Sequence, residues 1–86
     1  MAWKLLYRPQ AVKQIKHLIP KDQRRIITKV EQLANNPLDP ALNIKPLIDT
    51  QQSFRLRVGK LRVFFEKESK GKIIYIWKVS FRGSAY

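Results

Sequence analysis

The feature that most constrains the fold lies in the last third of the chain. Phe54-Arg55-Leu56-Arg57-Val58 alternates apolar and basic residues with period two, Gly59-Lys60 interrupts, and Leu61-Arg62-Val63-Phe64-Phe65-Glu66 follows. Such alternation marks a strand with one buried and one open face. Two strands joined by a tight turn are therefore predicted. Glu68-Ser69-Lys70-Gly71 is a second turn signal, and Lys72 to Val79 is a long β-branched and aromatic strand. Strands joined by hairpins pair antiparallel, so this third predicts a basic β-meander that needs an apolar cover on one side.

The first half supplies that cover. Trp3 to Tyr7 reads as a short strand that stops at Arg8-Pro9, and Pro9 suits the first position of a helix, where its missing N–H costs nothing. Ala11, Val12, Ile15, Leu18 and Ile19 recur at helical spacing, with Lys13, Gln14, Lys16 and His17 opposite. Pro20 is expected to end this helix. Lys21 to about Asn35 predicts a second helix with the stripe Ile26, Ile27, Val30, Leu33 and Ala34, stopped by Asn35-Asn36-Pro37. The two form an αα-hairpin. Residues 36–53 carry Pro37, Pro40 and Pro46 and read as a connection across the sheet, packed down by Ala41, Leu42, Ile44, Leu47 and Ile48. The expected architecture is α+β, in the order β-α-α-β-β-β. The helical hairpin lies on one face of a small, mainly antiparallel sheet, and the other face is left for a partner.

Eighty-six residues allow one domain, 1–86, which buries only roughly 60–65% of its unfolded surface. A cofactor domain beside a substrate domain is excluded, as is a doubly wound sheet. The absence of cysteine excludes a disulfide scaffold, a thiol nucleophile and a cysteine zinc site. No H-x-E or D-x-D cluster suggests a metal, and no cofactor is expected. No apolar run approaches the ~20 residues that cross a bilayer, and the start lacks a signal-peptide core. The expectation is a cytoplasmic protein with no membrane partner.

Charge narrows the partners. Eighteen Lys and Arg against six Asp and Glu give +12, well above the magnitude of about 2–8 that solubility asks of a small domain. Self-repulsion of this size suits a polyanion or an acidic protein as partner: RNA, DNA, the ribosome or an acidic polypeptide. Alternation sets Arg55 and Arg57 on the face opposite Phe54, Leu56 and Val58, about 7 Å apart. Arg62 follows the turn and lies beside them; whether it shares their face depends on the strand register. Clustered guanidiniums are costly without an anion, and their planar fork suits phosphate. The alternative is pairing with Glu66 and Glu68, although six acids cannot neutralise eighteen bases. Arg82 and Tyr86, four apart in an extended ending, fall on one side, adding a cation and a ring able to stack on a base.

These segments resemble the RelE/ParE toxin superfamily of bacterial toxin–antitoxin systems over nearly the whole chain. Phe54 to Glu66 is similar to the family's R-x-R-x-G-x-x-R strand pair. Val79-Ser80-Phe81-Arg82-Gly83-Ser84-Ala85-Tyr86 resembles its V-x-H-R-x-x-x-Y ending. RelE-like members cut mRNA in the ribosomal A site, whereas ParE-like members inhibit DNA gyrase. The Arg82…Tyr86 ending tilts the resemblance to RelE. By that resemblance Arg62 and Arg82 hold and stabilise the scissile phosphate, and Tyr86 orients the RNA. Arg55, Arg57 and Lys60 contact RNA phosphates.

The implied chemistry needs no metal. The RNA 2′-hydroxyl attacks the adjacent phosphorus, the 5′-oxygen leaves, and the protein aligns the attack and stabilises charge. The implied partners are the 70S ribosome with its mRNA and a cognate acidic antitoxin. Two departures stand out. Phe81 replaces a histidine common among relatives. Arg55 and Arg57 stand where some members carry lysine, and arginine is a poor general base. His17 reads as an ordinary surface residue, and Glu66 and Lys60 remain alternatives for the proton steps. Two further readings stay open: a gyrase inhibitor, and an inactive RNA-binding homologue.

Overall fold

The basic meander forms the centre of a five-stranded sheet. The computed structural model describes residues 2–47 and 53–81. Its elements are β1 (Lys4–Tyr7), α1 (Pro9–Lys16), α2 (Pro20–Asn35), β2 (Asn43–Pro46), β3 (Ser53–Val58), β4 (Leu61–Glu68) and β5 (Ile73–Phe81). The sheet order is β1-β5-β4-β3-β2, with β1 parallel to β5 and every other pair antiparallel. The helices pack on one face, so the α+β expectation holds.

Two expectations are corrected. The connection after α2 contains a strand, β2, which pairs with β3 through Ile44↔Leu56 and Lys45↔Arg55. Asn and Pro are poor strand formers, and Pro46 is tolerated because β2 lies at the sheet edge. Pro20 does not end the first helix. α1 has already stopped at Lys16, and Pro20 is the first residue of α2, the same role Pro9 plays in α1. Ile19 is consequently the N-cap of α2 and 61% exposed rather than part of a buried stripe. Gln23 of α2 closes the joint: its Nε2 donates to the carbonyls of Ile15 (3.1 Å) and Leu18 (3.1 Å), which α1 leaves unpaired as it ends.

The core sits between the layers. Ala11, Ile26, Val30 and Leu33 of the helices meet Leu56, Val58, Leu61, Val63, Phe65, Ile74, Ile76 and Val79 of the sheet. Phe54 stacks on Phe65 at 5.5 Å at the margin. The β3–β4 turn is a two-residue hairpin with Gly59 at φ +59°, a conformation open to glycine at little cost and matched to strand twist.

One irregularity positions the rest. Ile74 and Ile76 are buried two apart, but the next buried residue is Val79, three further on. Phe64 pairs with Lys78 while Phe65 pairs with Ile76, so Trp77 is an extra residue in a β-bulge. The bulge restores Val79 to the core and turns Lys78 outward. β1 pairs with β5 only as far as Ile76. Beyond it, α1 replaces the missing neighbour. Gln10 Nε2 donates to the Trp77 carbonyl (3.2 Å), and the Val79 N–H donates to Gln14 Oε1 (2.6 Å).

Candidate nucleic-acid interface

Register decides which cations meet. Arg57 lies directly across from Arg62, and Arg55 across from Phe64. Antiparallel partners share a face, with Cα atoms about 4.5–5.5 Å apart. Arg62 therefore joins Arg55 and Arg57 on the open face, an outcome that the sequence left to the register. Arg57 is exposed, whereas Arg55 and Arg62 are half-buried.

The same rule adds two cations that the sequence reading missed. Lys45 pairs with Arg55, and Lys78 pairs with Phe64. Lys45 was hidden in a segment with no strand signal, and Lys78 by the bulge, which shifts its side of the strand. Rings lie among these charges. Phe64 and Trp77 meet at 5.4 Å between centroids, and Lys78 Nζ stands 5.5 Å above Phe64. Cations interleaved with aromatic rings on an open sheet can hold a phosphate backbone while offering surfaces to bases.

The described acids that lie near this group have other partners. Glu66 lies on the same face, one place beyond Phe64, and its carboxylate is 3.9 Å from Arg8. Both ends of that pair are substantially exposed, so it contributes little to stability. Arg8 also rests 5.7 Å from the Tyr75 ring. Glu68 accepts from the Gly71 N–H (3.1 Å). Among the described residues, Arg55 and Arg57 make no ion pair.

The remaining sequence candidates are dispersed. Lys60 occupies the β3–β4 turn and lines a cleft toward α2 with Lys21 and Arg25, apart from the arginine face. His17 is exposed at the end of α1 in the helical layer. Arg82 and Tyr86 lie outside the described residues, as does Ile48. No group of three His, Asp or Glu able to hold a metal ion occurs among the described residues. Among them, no helix is long and apolar enough to cross a membrane.

Comparisons with known proteins agree with this architecture. A family model described as the ParE toxin of the type II toxin–antitoxin system, parDE, matches residues 5–86. A Methanocaldococcus jannaschii protein that bears the name toxin RelE1 is 32% identical over 78 residues, covering 90% of this chain and 87% of its own. The RelE–RelB complex from Pyrococcus horikoshii OT3 matches with a TM-score of 0.85 and 27% identity, covering 99% of this chain and 100% of the other. The isolated E. coli RelE toxin matches with a TM-score of 0.81 and 13% identity, over 98% and 88% of the two chains, a likeness of fold alone.

Proposed function

The chain belongs to the RelE/ParE superfamily of type II toxin–antitoxin toxins, and from that membership we propose that it is a ribosome-dependent endoribonuclease that cuts mRNA in the A site. The observation that carries the reading is the open-face group of Arg55, Arg57 and Arg62, with Arg57 directly opposite Arg62. Guanidiniums gathered on an open face present forked donors, and a phosphodiester is an anion of the matching shape.

In the proposed reaction the RNA 2′-oxygen attacks the adjacent phosphorus. A bond forms from 2′-O to P, the bond from P to the 5′-oxygen breaks, and a 2′,3′-cyclic phosphate and a 5′-hydroxyl result. Arg62, with Arg82, stabilises the added negative charge on the phosphorane oxygens. Arg55 and Arg57 hold flanking phosphates, and Tyr86 orients a base; Lys60, at the turn beside α2, lies apart from them. Arginine keeps its proton, so these groups act by charge and alignment. The strand must be RNA, since DNA has no 2′-hydroxyl.

The partner of the resting state follows the relative solved as a RelE–RelB complex. We propose an acidic antitoxin whose carboxylates meet the basic surface of this chain. A second reading, DNA gyrase inhibition, is favoured by the ParE description of the matching family model and by Phe81 in place of histidine.

Primer extension separates them. Purified chain is added to an mRNA alone and to the same mRNA on ribosomes with an empty A site. Cuts in the ribosome lane only, lost in Arg62→Ala, are expected. No cut in either lane, together with inhibited supercoiling by purified gyrase, overturns the nuclease reading. Cuts in both lanes make the chain a free ribonuclease.

A further inference from the structure

A second basic surface lies on the opposite side of the molecule. Lys21, Arg24, Arg25 and Lys29 fall at i, i+3, i+4 and i+8 of α2, on one helical stripe spanning about 12 Å. That stripe faces the β3–β4 turn across an open cleft of two adjoining lobes, about 520 and 470 Å³, with Val58 at its floor and Lys60 on its far rim. Among the described residues, Asp22 is the one carboxylate lining it. Gly59 lies beside Arg25 on the cleft wall, where a Cβ would stand 3.5 Å from Arg25 Nη1. Lys29 stands in the field of Asp39, but Lys21, Arg24, Arg25 and Lys60 have no ion pair among the described residues.

We propose that this cleft binds the phosphate backbone of a folded RNA, separately from the strand taken by the arginine face. For its class of ligand the proposal rests on the RNA reading above. The contrast between the two surfaces carries it. The open sheet face mixes cations with Phe64 and Trp77, which suits unpaired bases. Among the described residues no aromatic ring lines the cleft, so they offer cations to position a backbone and nothing on which a base can stack. An acidic amphipathic peptide is the poorer fit. Such a peptide needs an apolar anchor pocket, and Ile19, 61% exposed at the rim, is a small anchor set against the five cations Lys21, Arg24, Arg25, Lys29 and Lys60. Row spacing along a helix favours a linear polyanion over a single small anion.

The test is the salt dependence of binding, followed by fluorescence anisotropy with two labelled probes: a stable RNA hairpin and an unstructured RNA of equal length. Lys21→Gln/Arg24→Gln/Arg25→Gln removes three exposed cations from α2 without touching the core, and thermal unfolding verifies that it folds. Hairpin affinity is expected to fall by about tenfold or more at 0.1 M salt. The slope of log K against log salt should become shallower by about 2 to 3, one released counterion for nearly every contact. Affinity for the unstructured strand should stay within about threefold. Arg55→Gln/Arg57→Gln should show the reverse preference.

An unchanged hairpin slope overturns the proposal, as does a wild-type chain that ignores the hairpin. Equal losses on both probes overturn it too, since that is the general field of the molecule. Loss of a poly-glutamate probe with the hairpin unaffected makes the cleft a protein site instead. The ribonuclease reading fails separately. A wild-type chain that binds the hairpin through the cleft yet leaves ribosome-bound mRNA uncut sinks the nuclease and leaves the cleft standing.

Discussion

Arg57 and Arg62 face each other across two strands, and like charges placed directly opposite repel. Arg57→Gln is therefore expected to raise the unfolding free energy by about 0.3–0.5 kcal/mol in urea titrations, more at low salt, while lowering A-site cleavage by about tenfold or more. A variant that is both less stable and fully active would contradict the assignment. Tyr7 gives an independent probe of packing. Burial, and then the charge of Glu31, raises its phenol above the ordinary value of 10.0. The folded pKa exceeds the unfolded one, so the contribution to stability is whole below about pH 10 and is lost as pH rises through the folded pKa. Absorbance titration at 295 nm should show one late phenol, absent in Tyr7→Phe, whose stability should fall less steeply in alkali. At this scale Arg55 and Arg57 were legible, because period two needs no partner to assign a face. Arg62 waited on register. Lys78 was illegible, because one extra residue at Trp77 reverses the side on which every later residue of β5 falls.

The turn and the bulge are where single elements can be broken. Gly59 is in the left-handed region, and a Cβ there would meet only Arg25 Nη1 at an ordinary 3.5 Å. Gly59→Ala should thus cost about 1–2 kcal/mol through backbone strain rather than collision, measured as a lower urea midpoint with unchanged m-value. Gln14→Ala removes the acceptor of the half-buried Val79 N–H. A loss of about 1–3 kcal/mol is expected, with faster hydrogen exchange at Val79. Both helices were legible from their apolar stripes, yet Pro20 was placed on the wrong side of a boundary. Proline ends one helix and begins the next by the same loss of an N–H, and only the early stop at Lys16 decides between them. β2 was not legible because nothing in Asn43-Ile44-Lys45-Pro46 asks for a strand; the open edge of β3 makes it one.

On the scale of the molecule the net charge is +12, and two surfaces of the fold gather many of its cations. Screening should relieve their mutual repulsion, so the melting temperature is expected to rise by a few degrees, about 3–5 °C, between 0.05 and 0.3 M NaCl at neutral pH. A flat response would mean that the charges are already neutralised within the fold. The topology has its own consequence. Lys4 N–H donates to the Lys72 carbonyl and Arg8 N–H to that of Ile76, so β1 is held by the last strand of the sheet. During synthesis, the first strand must wait for β5 to emerge before it has anywhere to dock. The hairpin that carries Arg55, Arg57 and Arg62 is made earlier, but it lacks the β5 strand that brings Lys78 and Trp77 beside it. A nascent chain is thus kept from a finished open sheet face until β5 is made and has left the ribosome that is building it.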